Sequence, residues 1–198
     1  AMATGGSAQL VLTLAAAPGL AGVLLGLALM RPRVGLGDWL VTAGAAIYPG
    51  VFLAYVPFIR ELDQGAQWTY LLLAGVFAND TAAYFVGKAV GRTRMAPGIS
   101  AGKTWEGAAG GVAGAVGAVA ASAYALGLDL APAWALGLGA MMAVAAQLGD
   151  LMESWLKRLC GVKDSGTLVP GHGGLLDRLD SIVFNLALLY HFLSWVIR

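Results

Sequence analysis

Residues 132–154, PAWALGLGAMMAVAAQLGDLMES, and the continuation 155–180, WLKRLCGVKDSGTLVPGHGGLLDRLD, decide the fold of this chain. The first piece is almost wholly apolar until Asp150. A helix rises about 1.5 Å per residue, so such a run is long enough to cross roughly 30 Å of hydrocarbon. Nine charged residues then crowd between Asp150 and Asp180, and from 179 to 197 the sequence turns apolar again. Working outward, further apolar runs occur at about 10–30, 39–59, 68–90 and 105–126, making six in all. Inside a bilayer every backbone polar group needs a partner within the protein. Helices of this length provide it, whereas barrel strands would be about half as long and alternating. The predicted fold is an all-α, polytopic transmembrane helical bundle of about six spans, with cytoplasmic loops forming a polar cavity. Composition agrees: 59% of residues are hydrophobic and 12% charged, against about 25% charged in soluble domains. The first run is too long, and continues too smoothly into a second span, to read as a cleaved signal peptide. The leading Ala-Met-Ala-Thr-Gly-Gly reads as a remnant or truncation scar.

Lys and Arg set the expected orientation. Threading six spans puts Arg31, Arg33, Lys88, Arg92, Arg94, Lys103, Lys157, Arg158, Lys163 and Arg178 on one side and only Arg60 and Arg198 on the other. By the positive-inside rule the crowded side is cytoplasmic, both termini lie outside, and the polar loops 88–104 and 155–178 face the cytoplasm. The net charge of +1 carries no further information about partners. The single cysteine, Cys160, excludes an intrachain disulfide.

The run 105–126 places Gly107, Gly110, Gly111, Gly114 and Gly117 among Ala and Val, the small-residue spacing of a packing helix. Pro49 and Pro57 are expected to kink the second run. Asn79 and Asp80 stand near the middle of the third, about 12 Å of helical rise below Lys88. A carboxylate at that depth needs a polar cavity or a partner, and an ion pair that merely locks helices is the competing explanation. Tyr84 lies one turn further along the same face. The following segment, Gly98-Ile-Ser-Ala-Gly-Lys-Thr-Trp-Glu-Gly107, imitates a nucleotide P-loop. Pro97 occupies the first glycine position, however, and a buried strand is missing before it. A Ser/Gly turn with Lys103 and Thr104 at a helix start still offers N–H groups and a cation to a phosphate. The alternative is a snorkelling Lys103 with Trp105 as an interfacial belt residue.

Asp150, Ser154 and Lys157, at i, i+4 and i+7, line one helix face. Asp177 and Asp180 share a face at the start of the last helix. Two such acid clusters at one depth can converge on a hard cation such as Mg²⁺, which prefers carboxylate oxygens and keeps places for waters and phosphates. Capping of the helix N-terminus explains Asp177 and Asp180 as well, but not Asp150, late in its helix. Lys157, Arg158, Lys163 and the Gly-His-Gly-Gly turn at 171–174 add positive charge and exposed amides. His172 among glycines is a ligand-contact candidate, while His191 in the last helix reads as structural. A Ser-His-Asp triad lacks a Gly-x-Ser-x-Gly elbow.

The ordered string Ser154-x-x-Lys157-Arg158, Lys163-Asp164-Ser165-Gly166, Pro170-Gly171-His172-Gly173-Gly174, Asp177-Arg178-x-Asp180 resembles the signature of the phosphatidate cytidylyltransferase (CDP-diacylglycerol synthase) family. Asn79-Asp80-Thr-Ala-Ala-Tyr84-Phe-Val-Gly87 and Ser100-Ala-Gly-Lys103-Thr104-Trp-Glu-Gly107 resemble bacterial members too, which often have Pro where Ala101 stands. The resemblance covers about residues 75–190. It implies a catalytic transmembrane domain at 71–198, preceded at 1–70 by N-terminal transmembrane helices, shortened relative to the family. The implied reaction moves the CMP unit of CTP onto phosphatidic acid, giving CDP-diacylglycerol and pyrophosphate. Asp150, Asp177, Lys103 and Asp180 are then the expected catalytic residues. Asp150 and Asp177 are the expected Mg²⁺ ligands, with a second cation allowed and Asp80, Asp164 and Asp180 as outer or additional ligands. Lys103, Lys157, Arg158, Lys163 and Arg178 are expected on the triphosphate and phosphatidate. Asn79, Thr104, Ser154, Ser165, His172, Gly173 and Gly174 complete the expected substrate contacts. Expected partners are CTP, phosphatidic acid and membrane lipid, with a homodimer and no nucleic acid. The expected location is the bacterial inner membrane, with the active site facing the cytoplasm. Two rivals are a CDP-alcohol phosphotransferase, whose Asp-Gly-x-x-Ala-Arg string is absent, and a cation or proton transporter, which has no need of the basic His-Gly-Gly loop.

Overall fold

The computed structural model describes residues 50–162 and 176–196, apart from the side chains of 176–178. The chain divides into two compact units, 1–58 and 59–198. In the first, residues 50–53 are helical, Ala54 is a turn, and helix α1 (Tyr55–Glu61) begins directly after it. Pro57 accounts for the break, since it has no N–H for the carbonyl four residues back, that of Leu53, and its ring crowds that carbonyl. This is the interruption expected at Pro57; Pro49 lies outside the described residues.

The second unit contains α2 (Gly65–Val90), β1 (Arg94–Ala96), β2 (Ser100–Thr104), α3 (Trp105–Ala125), α4 (Pro132–Leu159) and α5 (Leu176–Val196). The apolar runs expected at 68–90, 105–126, 132–154 and 179–197 are therefore helices. Among the described residues, three helical stretches are long and apolar enough to cross a membrane, Trp105–Ala125, Pro132–Leu159 and Leu179–Val196. The chain is mostly helical and an integral membrane protein. Helix α4 runs one turn further than its apolar run suggests, with Lys157 and Arg158 in the last turn, where cations suit the negative end of the helix dipole.

The all-α expectation needs one correction. Part of the loop predicted at 88–104 is an antiparallel hairpin, with Arg94 opposite Thr104, Ala96 opposite Ser100 and a register shift between them. Pro97 and Gly98 occupy the centre of its turn, closed by Ile99 N–H donating to Ala96 O at 3.1 Å. Proline at the first central position presets the φ such turns require. Thr104 then ends the strand and caps α3, its Oγ1 accepting from Gly107 N–H at 3.1 Å.

Helix α3 lies along α2 through its glycines. A Cβ on Gly110 would stand 2.6 Å from Val86 Cβ, and one on Gly114 would stand 2.8 Å from Ala78 O. Small residues at four-residue spacing let backbones approach closely in lipid, where dispersion and close packing replace the hydrophobic effect. Gly117, expected in the same stripe, meets no neighbour within 4 Å. Away from the hairpin, Leu71, Leu72, Val76, Val119, Leu138, Met142, Val183 and Leu189 form a buried apolar layer from all four long helices. The outward faces stay apolar, with Tyr70, Phe77 and Tyr84 exposed on α2 and Met141, Val144, Leu148, Met152 and Trp155 on α4.

Candidate active site

On the hairpin side of the apolar layer, α2, α3, α4, α5 and the hairpin enclose an open cavity of about 790 Å³. Each element delivers chemistry to it by a local rule. The second half of α2 supplies Asn79, Asp80, Tyr84 and Lys88, which recur along one helical face. The last turns of α4 supply Asp150, Glu153 and Lys157, at i, i+3 and i+7. Strand β2 brings Lys103, and α5 brings Asp180 and Ser181. A Cβ on Gly149 would meet Asp180 O at 2.5 Å and Phe184 Cδ2 at 2.7 Å. That close crossing of α4 and α5 sets Asp150 beside Asp180.

Four carboxylates from three helices thus face one cavity, countered by lysines. Lys103 Nζ is buried and lies 2.7 Å from Asp150 Oδ2. The other oxygen of Asp150 accepts from Ser154 Oγ at 3.3 Å. Glu153 is only 1% exposed. Its carboxyl is 3.4 Å from Lys157 Nζ. Asp180 Oδ1 accepts from Ser181 N–H at 2.6 Å. Lys88 Nζ sits 5.8 Å from the centre of the Tyr84 ring, near enough for a cation–π contact.

Two bonding systems hold these groups. Asn79, 1% exposed, donates from Nδ2 to Asp80 Oδ1 at 2.9 Å. Its Oδ1 accepts from Gln147 Nε2 at 3.3 Å, and the same nitrogen donates to Ala108 O at 3.0 Å. The hairpin is fastened at both ends. At its base, Glu106 accepts the backbone N–H groups of Arg92 and Thr93 at 3.1–3.2 Å, and Trp105 N–H donates to Thr93 O at 3.0 Å. At its tip, Arg158 Nε donates to Ile99 O at 3.3 Å and Nη1 to Val162 O at 3.2 Å.

Of the expected site residues, Asn79, Asp80, Lys103, Thr104, Asp150, Lys157 and Asp180 line the cavity. Ser154 touches it through Asp150, and Arg158 is turned toward backbone carbonyls. Lys163, Asp164, Ser165, His172, Gly173 and Gly174 lie outside the described residues, as do the side chains of Asp177 and Arg178. His191 sits in the far half of α5, its ring 5.5 Å from that of Tyr190. Glu153 and Gln147 were not singled out from the sequence. Glu153 had a signal, since i+3 from Asp150 fits the helix face as well as Ser154 at i+4. Gln147, an uncharged amide in an apolar run, had only its depth.

Carboxylate oxygens facing a phosphate-sized space are the donor set a hard divalent cation takes. Among the described residues no three acids are already gathered tightly enough to hold an ion by themselves.

Residues 4–196 match the model of the cytidylyltransferase family. Among curated proteins, the chain is 42% identical over 153 residues to a phosphatidate cytidylyltransferase of Bacillus subtilis (strain 168), covering 76% of this chain and 56% of that protein. It is 50% identical over 153 residues to one of Brucella suis biovar 1 (strain 1330), with the same shares covered. To one of Synechocystis sp. it is 45% identical over 133 residues, covering 67% of this chain and 45% of that protein. The chain spans about half the length of the curated relatives it matches.

Proposed function

The chain belongs to the cytidylyltransferase family, and on that premise we propose that it transfers the CMP unit of CTP to phosphatidic acid, leaving CDP-diacylglycerol and pyrophosphate. The observation that carries this is the cavity itself, where half-buried lysines and carboxylates from separate elements meet at one end of spanning helices. Such a place admits a polyanion and a lipid headgroup together.

The phosphate monoester of phosphatidic acid has a second pKa near 6, so at neutral pH its oxygen is largely ionised and needs little help from a base. That oxygen attacks the α-phosphorus of CTP. A new P–O bond forms, the bond from the α-phosphorus to the bridging oxygen breaks, and pyrophosphate leaves with the electron pair. The work left to the protein is alignment and charge neutralisation. Lys103 and Lys157, with Arg158, Lys163 and Arg178, bind phosphate oxygens. Ser154, Ser165, Thr104, His172, Gly173 and Gly174 orient them, and Asn79 and Asp80 border the nucleotide. Asp150 and Asp177 would hold Mg²⁺, with Asp80, Asp164 and Asp180 as outer or additional ligands; when bound, the ion would supply positive charge against the triphosphate. The chain crosses the bacterial inner membrane six times as a homodimer, its cavity open to the cytoplasm, and the acyl chains enter from the inner leaflet. A transporter finds less support, because the family whose model matches residues 4–196 is that of cytidylyltransferases.

The test is direct. Folded protein in detergent, given labelled CTP, phosphatidic acid and Mg²⁺, is expected to form CDP-diacylglycerol and pyrophosphate in equal amounts. A folded sample that makes neither overturns the assignment.

A further inference from the structure

Gln147 has no charge, yet it joins three helices at the inner wall of the cavity. Its Nε2 lies 3.0 Å from Ala108 O on α3 and 3.3 Å from Asn79 Oδ1 on α2. A main-chain carbonyl can only accept, so the Gln147 atom facing Ala108 must be the nitrogen. The Asn79 atom facing that nitrogen must then be its oxygen. Asn79 has one orientation left, with its NH₂ toward Asp80 Oδ1 at 2.9 Å. Each bond fixes the direction of the next, and the chain starts from a backbone atom that cannot turn. Space reinforces it, since a Cβ on Gly111 would stand 2.6 Å from Asn79 Oδ1.

We infer that Gln147 is a positioning residue for the proposed nucleotidyl transfer: through Asn79 it guarantees that the Asp80 carboxylate in the cavity always meets a hydrogen-bond donor. The inference rests on the cavity being the transfer site. An acceptor in place of the Gln147 NH₂ competes for the Asn79 NH₂ and draws it away, which leaves the Asn79 oxygen facing Asp80 and turns an attraction into a repulsion.

Gln147→Glu keeps the shape but replaces the donor by an acceptor, so the favoured response is rotation of Asn79. Asp80→Asn supplies an NH₂ that accommodates a rotated Asn79. Four full-length proteins, wild type, Q147E, D80N and the double variant, are compared for kcat and KM with CTP in vesicles containing phosphatidic acid and Mg²⁺. Residues in one hydrogen-bond network couple, so Q147E is expected to lower kcat/KM by about tenfold in the wild-type background and by less than about twofold in D80N. Equal losses in both backgrounds, or no loss in the first, overturn the inference. Melting midpoints of the same four proteins form a second cycle that needs no turnover. Q147E is expected to lower the midpoint more in wild type than in D80N, and equal lowering overturns the inference. If wild type makes no product, the proposed reaction fails while the melting cycle still decides the role of Gln147.

Discussion

Lys103 reaches the cavity from a strand five residues long, and Asp150 reaches it from a helix of 28. Their 2.7 Å contact therefore ties the hairpin to the membrane-spanning body. In the proposed transfer this buried ammonium stands where charge changes, and losing one such group typically costs about 10²–10³ in kcat. Lys103→Met is expected to show a loss of that order with its melting midpoint little changed, read from CTP turnover beside a thermal scan. Burial also explains what the sequence concealed at this scale. Asp150, Ser154 and Lys157 share a helix face by spacing alone, and spacing does not say that Glu153, on nearly the same face, is the side chain packed inside. Asn79 and Asp80 were legible because a carboxylate deep in an apolar run needs a reason to be there.

At the scale of elements, the hairpin and the α2–α3 contact place the site. Glu106 holds the hairpin base by accepting two backbone N–H groups near the start of α3, where the helix dipole favours an anion. Glu106→Ala removes the acceptor of both bonds and is expected to speed amide hydrogen exchange at Arg92 and Thr93. Glu106→Gln, which retains one acceptor, should fall between alanine and wild type. Helix contact gives a paired test. Gly114→Ala drives a methyl into Ala78 O and is expected to destabilise by about 1–3 kcal/mol. Gly117→Ala meets open space and should be neutral or gain up to about 1 kcal/mol from reduced backbone freedom. Thermal unfolding of both in one detergent checks the contrast, and equal shifts would contradict the packing described. The four long helices were legible because lipid demands long apolar runs. The hairpin was not, because its three- and five-residue strands are polar and short, and only the Pro97-Gly98 turn and long-range fastening by Glu106 and Arg158 define them.

At the scale of the whole molecule, the exposed tryptophans of the described residues mark two levels. Trp105 and Trp155 lie toward the cavity, while Trp134 and Trp195, together with Tyr124, lie at the opposite ends of their helices. Trp105 and Tyr124 bracket about 28 Å of helical rise, close to the thickness of a hydrocarbon core. Cys160, exposed at the end of α4, is on the cavity side, because Arg158 two residues before it bonds the hairpin tip. If the basic side is cytoplasmic, a membrane-impermeant maleimide should leave Cys160 unlabelled in intact cells and label it after permeabilisation; labelling of intact cells would reverse the orientation. The Lys103–Asp150 pair has one more effect at this scale. The cavity already carries an internal anion seated on its lysine, so in the proposed reaction a triphosphate has to displace Asp150 before it can dock on Lys103. Asp150→Asn, expected to abolish turnover, should for that reason bind CTP several-fold more tightly than wild type in the presence of EDTA, as read by calorimetric titration. The residue most needed for turnover would then be the one that keeps the nucleotide from settling unassisted.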